Sequence, residues 1–163
     1  MKRADFRKSV VDLLAPHAKE DPRIILLVCD MGFGVVDGFR KELPGRMFNT
    51  GVMEQGTVGI AAGMAMAGLV PVVYSIVNFL AYRAIEQVRN DVVLQGLNVK
   101  FIGTGANDYF KFLGRSHCCG QDDKRLMRLL GVPVYDPYAA GALPFPRMVR
   151  RWITSPRAGY LRV

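Results

Sequence analysis

Hydrophobic and polar positions follow two different periods along this chain. Short, continuous apolar runs such as "RIILLVCD" (residues 23–30) and "PVVYSIV" (residues 71–77) are typical of strands buried on both faces of a parallel sheet. Longer segments with apolar residues every three or four positions, such as "NFLAYRAIEQVRNDVVLQ" (residues 78–95), are typical of helices packed on such a sheet. The pattern predicts strands at residues 23–30, 46–51, 71–77, 98–105, 132–137 and 158–163. It predicts helices at residues 4–19, 54–68, 78–95, 122–130 and 140–155.

Strands and helices alternate along the whole chain without a repeat or a linker. This alternation predicts an α/β fold, a doubly wound, mostly parallel sheet with helices on both faces, in a single domain of residues 1–163. Such sheets bind ligands at the carboxyl ends of their strands. Asp30, Glu54, Asn78 and the long polar segment 106–121 follow strand ends, so we expect them to lie near a ligand site.

Composition and charge restrict the possible functions only slightly. With 163 residues, half of them hydrophobic, the chain is long enough to bury a sizeable core. The formal net charge is +8, but the basic residues are scattered rather than clustered, so nucleic-acid binding is not expected. Anionic small molecules or an acidic partner chain would account for the charge equally well.

The chain shows no sign of export or membrane insertion. Cys29, Cys118 and Cys119 form no disulfide framework, and the N-terminus lacks the continuous apolar core of a signal peptide. These features predict a cytoplasmic protein. Residues 57–77 carry no charge and could span a bilayer, but Pro71 and the β-branched residues after it interrupt them. We therefore expect a helix followed by a strand, and no membrane contact.

Several familiar site motifs are missing from this sequence. The loop after the first strand, "CDMGFGVVDG", does not have the GxGxxG spacing of dinucleotide-binding proteins. The chain has neither a P-loop lysine motif nor a GxSxG elbow, and its cysteines and histidines do not reach zinc-ligand spacing. The ordinary nucleotide-binding functions of this fold are therefore disfavoured, and no metal site is expected in the chain itself.

The segment "GVMEQGTVGIAAGMAMAGLVP" (residues 51–71) places one carboxylate, Glu54, before a run of small apolar residues with no further charge until Arg83. A lone glutamate at the start of a helix commonly complements the helix dipole. Gly59, Gly63 and Ala67 recur every four positions and form a face that another backbone can approach closely.

Longer motifs then point to a family. "FNTGVMEQGTVGIAAGMAMAGLVPVV", followed by "NFLAYRAIEQVRND", resembles the pyrimidine-binding domain of the transketolase-like thiamine diphosphate-dependent enzymes. The downstream segment "GRSHCCGQDDKRLMRLLGVPVYDP" and the closing "AGYLRV" resemble later parts of the same domain. The resemblance covers essentially the whole chain and implies the thiamine diphosphate-binding fold of the pyrimidine type.

The resemblance also implies roles for individual residues. The family's glutamate at the position of Glu54 hydrogen-bonds N1′ of the cofactor's aminopyrimidine ring and activates the cofactor through a proton there. Phe79 resembles the aromatic residue that stacks on the pyrimidine, although it could simply pack in the core. Tyr82 would share that pocket or only cover the helix, and Asp30 would lie near the cofactor or cap the loop after its strand.

A loop histidine completes the implied site. His117 resembles the histidine that contacts the substrate in transketolases, and a histidine can donate a hydrogen bond and exchange protons near neutral pH. A solvated histidine without a role is the alternative. Cys118 and Cys119 beside it are not expected to act as nucleophiles or metal ligands, because no base or further ligand is arranged around them.

The chain departs from the family in ways that imply a partner. A separate domain with a G-D-G…N motif holds the cofactor's diphosphate and Mg²⁺ in these enzymes, and neither that motif nor the family's C-terminal domain is present here. The resemblance therefore implies a split subunit that is active only with a diphosphate-binding partner, as a homodimer extended to a heterotetramer. The stretch 32–35 lacks the family's phosphate-binding serine, and Leu113 replaces an aspartate that recognises a sugar hydroxyl.

Three functions remain open at this stage. The first is ketol transfer by a split transketolase-like enzyme whose donor differs from the usual sugar phosphates. The second is a β-type subunit of a 2-oxo acid decarboxylase or dehydrogenase, which transfers an acyl-anion equivalent. The third is a non-catalytic regulatory subunit, which the intact Glu54 and Phe79 argue against. The choice between a ketose and a 2-oxo acid substrate stays open.

Overall fold

The computed structural model describes residues 5–163, which form a six-stranded sheet flanked by helices. All neighbouring strands run parallel, in the order β2-β1-β3-β4-β6-β5. The strands are β1 (Ile24–Val28), β2 (Met47–Asn49), β3 (Val70–Ile76), β4 (Lys100–Thr104), β5 (Val134–Tyr135) and β6 (Gly159–Arg162). The predicted α/β fold with a parallel sheet is confirmed.

The strand order fixes where a ligand site can form. From β1 the chain first adds β2 on one side and then crosses to β3 on the other, where Val28 lies opposite Tyr74. The order therefore reverses between β1 and β3, and in open α/β sheets the crevice at such a switch point binds ligands. A loop follows β1 from Cys29, whereas β3 passes directly into a helical segment at Val77.

Six helical segments cover the two faces of the sheet. They are α1 (Arg7–Glu20), α2 (Asp37–Glu42), α3 (Glu54–Met66), α4, α5 (Asp122–Leu129) and α6 (Phe145–Ile153). The segment α4 consists of a π-helical turn (Phe79–Arg83), a short α-helical piece (Ile85–Gln87) and a second π-helical turn (Val88–Val93). The predicted start of the first helix at residue 4 lies outside the described residues.

Two hydrophobic layers hold these helices to the sheet. Side chains of α1, α2 and α6 pack with one face of the central strands, where Leu26, Val72 and Trp152 are fully buried. Side chains of α3, α4 and α5 pack with the opposite face, around Val73 and Phe101. Every residue of β1 is buried, as its apolar run predicts. Every residue of β4 is buried as well, including the polar Lys100 and Thr104.

Two parts of the fold differ from the sequence prediction. The short helix α2 was not predicted, because a six-residue helix that buries only Phe39 is too short to show a period. The segment 78–95 is helical as predicted, but its π turns were not foreseen. π-helical turns are rare and are frequently found at functional sites. The segment 106–121 contains two 3₁₀ turns, Lys111–Leu113 and Arg115–His117.

The uncharged segment 57–77 is divided between α3 and β3. Across residues 5–163, no helix is long and apolar enough to cross a membrane.

Candidate active site

The carboxyl group of Glu54 is enclosed at the start of α3. Its side chain is only 1 % exposed. Ser75 Oγ, in β3, donates a hydrogen bond to Oε1 over 2.9 Å, and Nη1 of Arg83, at the end of the first turn of α4, pairs with Oε2 at 2.5 Å. Because Glu54 lies in the first turn of α3, the helix dipole also favours its negative charge. Three elements therefore converge on one buried carboxylate.

An aromatic ring lies beside this ion pair. Phe79 begins the π turn that follows β3, and it is half-buried. The Cζ atom of Arg83 lies 4.4 Å from the centroid of the Phe79 ring. The ring of His117 approaches the same phenylalanine with a centroid distance of 5.0 Å and an interplanar angle of 68°. The structure thus brings Glu54, Phe79 and His117 into one neighbourhood, with Arg83 between the carboxylate and the ring.

The turn that carries His117 is fastened to the end of β3. The buried side chain of Asn78 donates a hydrogen bond from Nδ2 to the carbonyl oxygen of Ser116. The Oγ atom of Ser116 lies 3.1 Å from Nδ1 of His117. Asn78, two residues after the end of β3, therefore fixes the backbone next to the histidine.

The base of the 106–121 segment is closed by a second set of contacts. Asp108 Oδ1 accepts hydrogen bonds from the backbone N–H groups of Cys119 (3.1 Å) and Gly120 (2.8 Å). Asn107 and Asp108 both have a φ of 59°, the left-handed region that non-glycine residues rarely adopt. Backbone strain of this kind persists only where surrounding contacts hold it, and it clusters at functional sites. We call the Asp108 contacts the loop clasp.

A buried ion pair lies beneath the loop clasp. Arg162 and Asp123 are fully buried, and Nε of the arginine bonds Oδ2 of the aspartate over 2.8 Å. Nη2 of Arg162 also donates to the carbonyl oxygen of Gly120 over 3.2 Å. The Tyr160 hydroxyl donates to Asp123 over 2.8 Å, and burial followed by the charge of Asp123 raises the Tyr160 pKa well above its ordinary value. Arg162, at the end of β6, thus stabilises the segment 106–121 through its hydrogen bond to Gly120.

Asp30 lies at the end of β1, beside the switch point. Its Oδ1 accepts a hydrogen bond from Nδ2 of Asn49, and its backbone N–H donates to Oδ1 of the same asparagine, both over 3.0 Å. Asp30 is exposed and has a φ of 47°. These contacts are those of a residue that caps neighbouring strand ends.

Tyr82 extends from the same turn of α4 as Phe79 but bonds in another direction. Its hydroxyl donates to Oδ2 of Asp122, at the start of α5, over 2.7 Å, and this bond raises the Tyr82 pKa to about 12. Half of the side chain is exposed. The hydroxyl therefore links α4 to α5, while the ring stays accessible.

The two neighbouring cysteines of the loop are in different settings. Cys119 is buried, and burial, followed by the charge of Asp123, raises its pKa to about 12. A thiol with so high a pKa carries almost no thiolate near neutral pH. Cys118 is half-buried, with Sγ 3.7 Å from the carbonyl oxygen of Gly114. All three cysteines are unpaired.

Among residues 5–163, neither a group of metal ligands nor the cavity at the amino-terminal end of the strands adds a second centre of chemistry. In the part of the chain that the structure describes, no three His, Cys, Asp or Glu side chains are grouped so that they could hold a metal ion. A cavity of about 430 Å³ lies at the opposite, amino-terminal end of the strands, where its lining includes Arg23, Ile24 and Val70. Ligands of doubly wound sheets bind at the carboxyl ends instead, where Glu54 and Phe79 lie.

The outer face of α3 is accessible and carries no charge. Gly59, Gly63 and Ala67 are all exposed, and Ile60 and Met66 between them are 46 % and 71 % exposed. A Cβ atom added at Gly63 would meet nothing within 4 Å in this chain. This face is therefore open to another molecule.

Two contacts at the site were not predicted from the sequence. Ser75 is a polar residue inside the otherwise apolar run of β3, and Arg83 is the next charged residue after Glu54. Both were visible signals, but neither has a local partner that would indicate its contact with Glu54. Together these groups could bind a flat heterocycle: a carboxyl for a ring nitrogen, an aromatic face for stacking, and a histidine at the edge.

Comparison with known proteins places this arrangement in a family. The family described as "Transketolase, pyrimidine binding domain" matches residues 2–140. A 6-deoxy-6-sulfo-D-fructose transketolase subunit of Clostridium sp. (strain MSTE9) is 34 % identical over 147 residues, which cover 88 % of this chain and 46 % of the relative. An apulose-4-phosphate transketolase subunit of Phocaeicola vulgatus is 32 % identical over 158 residues, covering 96 % and 50 % of the two chains.

Solved structures agree with this assignment. A protein described as "Split gene transketolase, inactive beta4 tetramer" superposes with a TM-score of 0.81 at 32 % identity, over 96 % of this chain and 50 % of that one. Transketolase from Leishmania mexicana superposes with a TM-score of 0.79 over 99 % of this chain and 26 % of that one, but at 17 % identity that likeness shows the fold alone. This chain spans about half the length of the curated relatives above. It belongs to the transketolase pyrimidine-binding domain family.

Proposed function

We propose that this chain is the pyrimidine-binding subunit of a split, thiamine diphosphate-dependent transketolase-like enzyme that transfers a ketol unit. The observation that carries the proposal is the Glu54 carboxyl, 1 % exposed, next to the half-buried Phe79 ring at the switch point of the sheet. We further propose that residues 1–163 form one domain, because the sheet takes strands from both halves of the described chain.

The residues present fit one half of thiamine diphosphate. A buried carboxyl suits N1′ of the aminopyrimidine, and the Phe79 ring offers a face for stacking. The diphosphate half has no such counterpart among residues 5–163, where no group of metal-ligating side chains occurs. When bound, the cofactor supplies a nucleophilic carbon that attacks the carbonyl carbon of the donor substrate. This chain would activate that carbon rather than hold the diphosphate.

Ser75 would orient the Glu54 carboxyl, and Glu54 would bond N1′ of the aminopyrimidine. Ser75 Oγ donates to Oε1 and fixes the plane of the carboxyl group, while Oε2 faces the side of Arg83 and Phe79. Glu54 would bond N1′ through this second oxygen and move a proton to and from that nitrogen. General acid–base help of this kind accelerates a step by about 10²–10⁴-fold.

His117 would contact the substrate from its loop. Its ring touches Phe79, and the contacts of Asn78 and Ser116 fix the backbone beside it. A histidine so held can donate a hydrogen bond to a substrate oxygen or exchange a proton with it near neutral pH.

Asp30 and Tyr82 stay predictions as cofactor contacts. Each already bonds a local polar partner, Asn49 for Asp30 and Asp122 for Tyr82. A contact with the cofactor would therefore use the exposed ring of Tyr82 and the Asp30 carboxylate oxygen that does not bond Asn49.

The proposed partner is a diphosphate-binding subunit with a G-D-G…N motif, which would hold the diphosphate and Mg²⁺. The names of the two curated relatives, both transketolase subunits, support a split enzyme. The uncharged outer face of α3, with Gly59 and Gly63 exposed, supports a homodimer extended by two partner subunits to a heterotetramer. The unpaired cysteines support a cytoplasmic enzyme.

The proposed donor is a ketose that carries an anionic group. The curated relatives are named for a sulfonated fructose and for a phosphorylated apulose. Leu113, 51 % exposed in the loop of His117, offers an apolar contact where the family's aspartate recognises a sugar hydroxyl. The donor would therefore differ from the usual sugar phosphates near this position.

Co-expression with the diphosphate-binding subunit tests the proposal. The purified complex, supplied with thiamine diphosphate and Mg²⁺, is screened against sulfonated and phosphorylated ketoses and against 2-oxo acids, with products identified by mass spectrometry. Ketol transfer that is lost in Glu54→Gln supports the proposal. Release of CO₂ from a 2-oxo acid would support the β-type subunit instead, and a stable complex without turnover of either class would support a regulatory subunit.

A further inference from the structure

Arg83 contacts both side chains, Glu54 and Phe79, that we propose bind the cofactor's pyrimidine ring. Its Nη1 atom pairs with Glu54 Oε2 at 2.5 Å, and its Cζ atom lies 4.4 Å from the centroid of the Phe79 ring. A guanidinium group is planar, donates hydrogen bonds from its edge and stacks on aromatic faces. An aminopyrimidine likewise has a flat nitrogen–carbon–nitrogen edge and a face that stacks. Arg83 therefore makes the two contacts that the proposed function gives to the ring.

The local structure of α4 produces this placement. Phe79 and Arg83 are the first and last residues of one π turn, four positions apart. Side chains four positions apart lie on the same side of a helix, so the guanidinium folds back over the ring. The start of α3 packs against this turn, which brings Glu54 within reach of the same guanidinium.

A ring bound on the Oε2 side of Glu54 competes with Arg83 for the same contacts. The two oxygens of the Glu54 carboxyl already have donors, Ser75 on Oε1 and Arg83 on Oε2. Arg83 also covers the Phe79 ring, which His117 approaches from another direction at 5.0 Å and 68°. A pyrimidine that bonds Oε2 of Glu54 from this side and stacks on the face of Phe79 that Arg83 covers would displace the guanidinium.

Such a displacement needs no opening of the core. The Arg83 side chain is 39 % exposed, whereas that of Glu54 is 1 % exposed. The guanidinium can therefore move into solvent by rotation of its own side chain. Until a ring binds, it gives a buried carboxylate the partner without which its burial would be costly.

We propose that Arg83 is a place-holder for the pyrimidine ring: it pairs with Glu54 and covers Phe79 in the free chain, and it swings outward before the ring binds. This inference rests on the proposed function of Glu54 and Phe79. It adds that the apparent affinity for the ring equals the intrinsic affinity multiplied by the fraction of molecules in which Arg83 has left the site.

The pyrimidine half of the cofactor provides a direct probe. The full chain is titrated with 4-amino-5-hydroxymethyl-2-methylpyrimidine, and binding is followed by ligand-detected NMR. Arg83→Met keeps the apolar stem but removes the charge, so it should bind the probe roughly 3- to 30-fold more tightly than wild type. Arg89→Met is the matched control, because Arg89 is an exposed arginine of the same helical segment that bonds the side chain of Asn90. Its affinity should equal that of wild type.

A double substitution shows whether the effect passes through Glu54. In a Glu54→Gln background the charge that holds Arg83 is gone, so Arg83→Met should change probe binding by less than about twofold. Arg83→Gln serves as a second variant should the methionine variant fold poorly. Circular dichroism of each variant establishes that it is folded before titration.

The outcomes separate this inference from the proposed function. The place-holder proposal is overturned if neither Arg83 variant binds the probe more tightly than Arg89→Met does. It is also overturned if Arg83→Met raises the probe affinity as much in the Glu54→Gln background as in wild type. The proposed function is tested by Phe79→Ala, which should weaken probe binding in the wild-type and Arg83→Met backgrounds alike. If Phe79→Ala leaves binding unchanged, the assignment of the ring to this site is wrong, whatever Arg83 does.

Discussion

Glu54 Oε2 and Arg83 Nη1 meet at 2.5 Å, although no other charged residue lies between these two in the sequence. Glu54 begins α3 and Arg83 ends the first turn of α4, with β3 between them. Ser75, in β3, donates a hydrogen bond to the other carboxylate oxygen, Oε1. The two charges that border the long uncharged stretch therefore form one site at the switch point of the sheet.

The isolated chain should bind thiamine diphosphate weakly or not at all. The described residues offer a carboxyl and an aromatic face to the pyrimidine but no group of metal-ligating side chains to the diphosphate. Calorimetry of the chain alone with Mg²⁺ should show no saturation at about micromolar concentrations of cofactor. Sub-micromolar, magnesium-dependent binding would contradict the view that a partner holds the diphosphate.

A leucine on the outer face of α3 should disrupt the homodimer. Nothing lies within 4 Å of a Cβ atom at Gly63, so Gly63→Leu should leave the fold of one subunit intact while it separates two packed helices. Light scattering should then give a lower mass than for wild type. Asp12→Leu, which adds a leucine to an exposed position of α1 on the opposite face of the sheet, is the control. A wild-type monomer, even with the partner present, would count against the proposed assembly.

Removal of the loop clasp should open the segment that carries His117. Asp108→Ala deletes the acceptor for two backbone N–H groups, those of Cys119 and Gly120, beneath a strained turn. We expect trypsin to cut at Lys111 and Arg115 about tenfold faster, with a loss of roughly 1 kcal/mol in the free energy of unfolding.

A carboxylate in another loop gives the control for this experiment. Asp37 accepts a backbone hydrogen bond from Gly34 over 3.2 Å, so Asp37→Ala removes a comparable contact far from Lys111 in the sequence. Its digestion pattern within the 106–121 segment should match wild type. Equal cleavage of the Asp108 and Asp37 variants would show that Asp108 does not hold this loop.

Cys119 should resist alkylation at neutral pH. Burial raises its pKa to about 12, so its thiolate fraction at pH 8 is of the order of 10⁻⁴ and grows about tenfold per pH unit up to that pKa. With iodoacetamide at pH 8, we expect Cys118 to be labelled first and Cys119 to follow only as the pH approaches about 11. Fragment-ion mass spectrometry distinguishes the two positions. Similar labelling of both at pH 8 would contradict this description of the loop.

The strands with long apolar runs could be predicted from the sequence, whereas the short and irregular elements could not. The residues of β1 are all apolar and buried, so its sequence carries an unbroken signal. β4 is buried throughout too, although its sequence contains Lys100 and Thr104. The strand predicted at residues 132–137 shortens to Val134–Tyr135, because prolines at positions 133 and 137 cannot donate ladder hydrogen bonds. The π turns of α4 depend on how the helix fits its neighbours, and the helical period of the sequence does not record that fit.

The candidate site, too, could be predicted only in part from the sequence. The position of Glu54 at a helix start and of Phe79 directly after a strand followed from the order of elements along the chain. The contact of Arg83 with Glu54 could not be derived from this order, because it depends on how α3 packs against α4. Likewise, nothing local in the sequence indicates that Asp108 closes the loop on Cys119.

The measurement closest to the central claim is hydrogen–deuterium exchange at C2 of thiamine diphosphate bound to the reconstituted complex, followed by NMR after acid quenching. Glu54→Gln keeps the shape of the side chain and one hydrogen bond to N1′ but cannot exchange a proton there. Assembly and cofactor binding should stay near wild type, and exchange at C2 should slow by about 10²–10⁴-fold. Glu86→Gln, an exposed glutamate of α4, is the matched control and should exchange like wild type. Exchange by Glu54→Gln within about threefold of wild type would show that Glu54 only caps its helix.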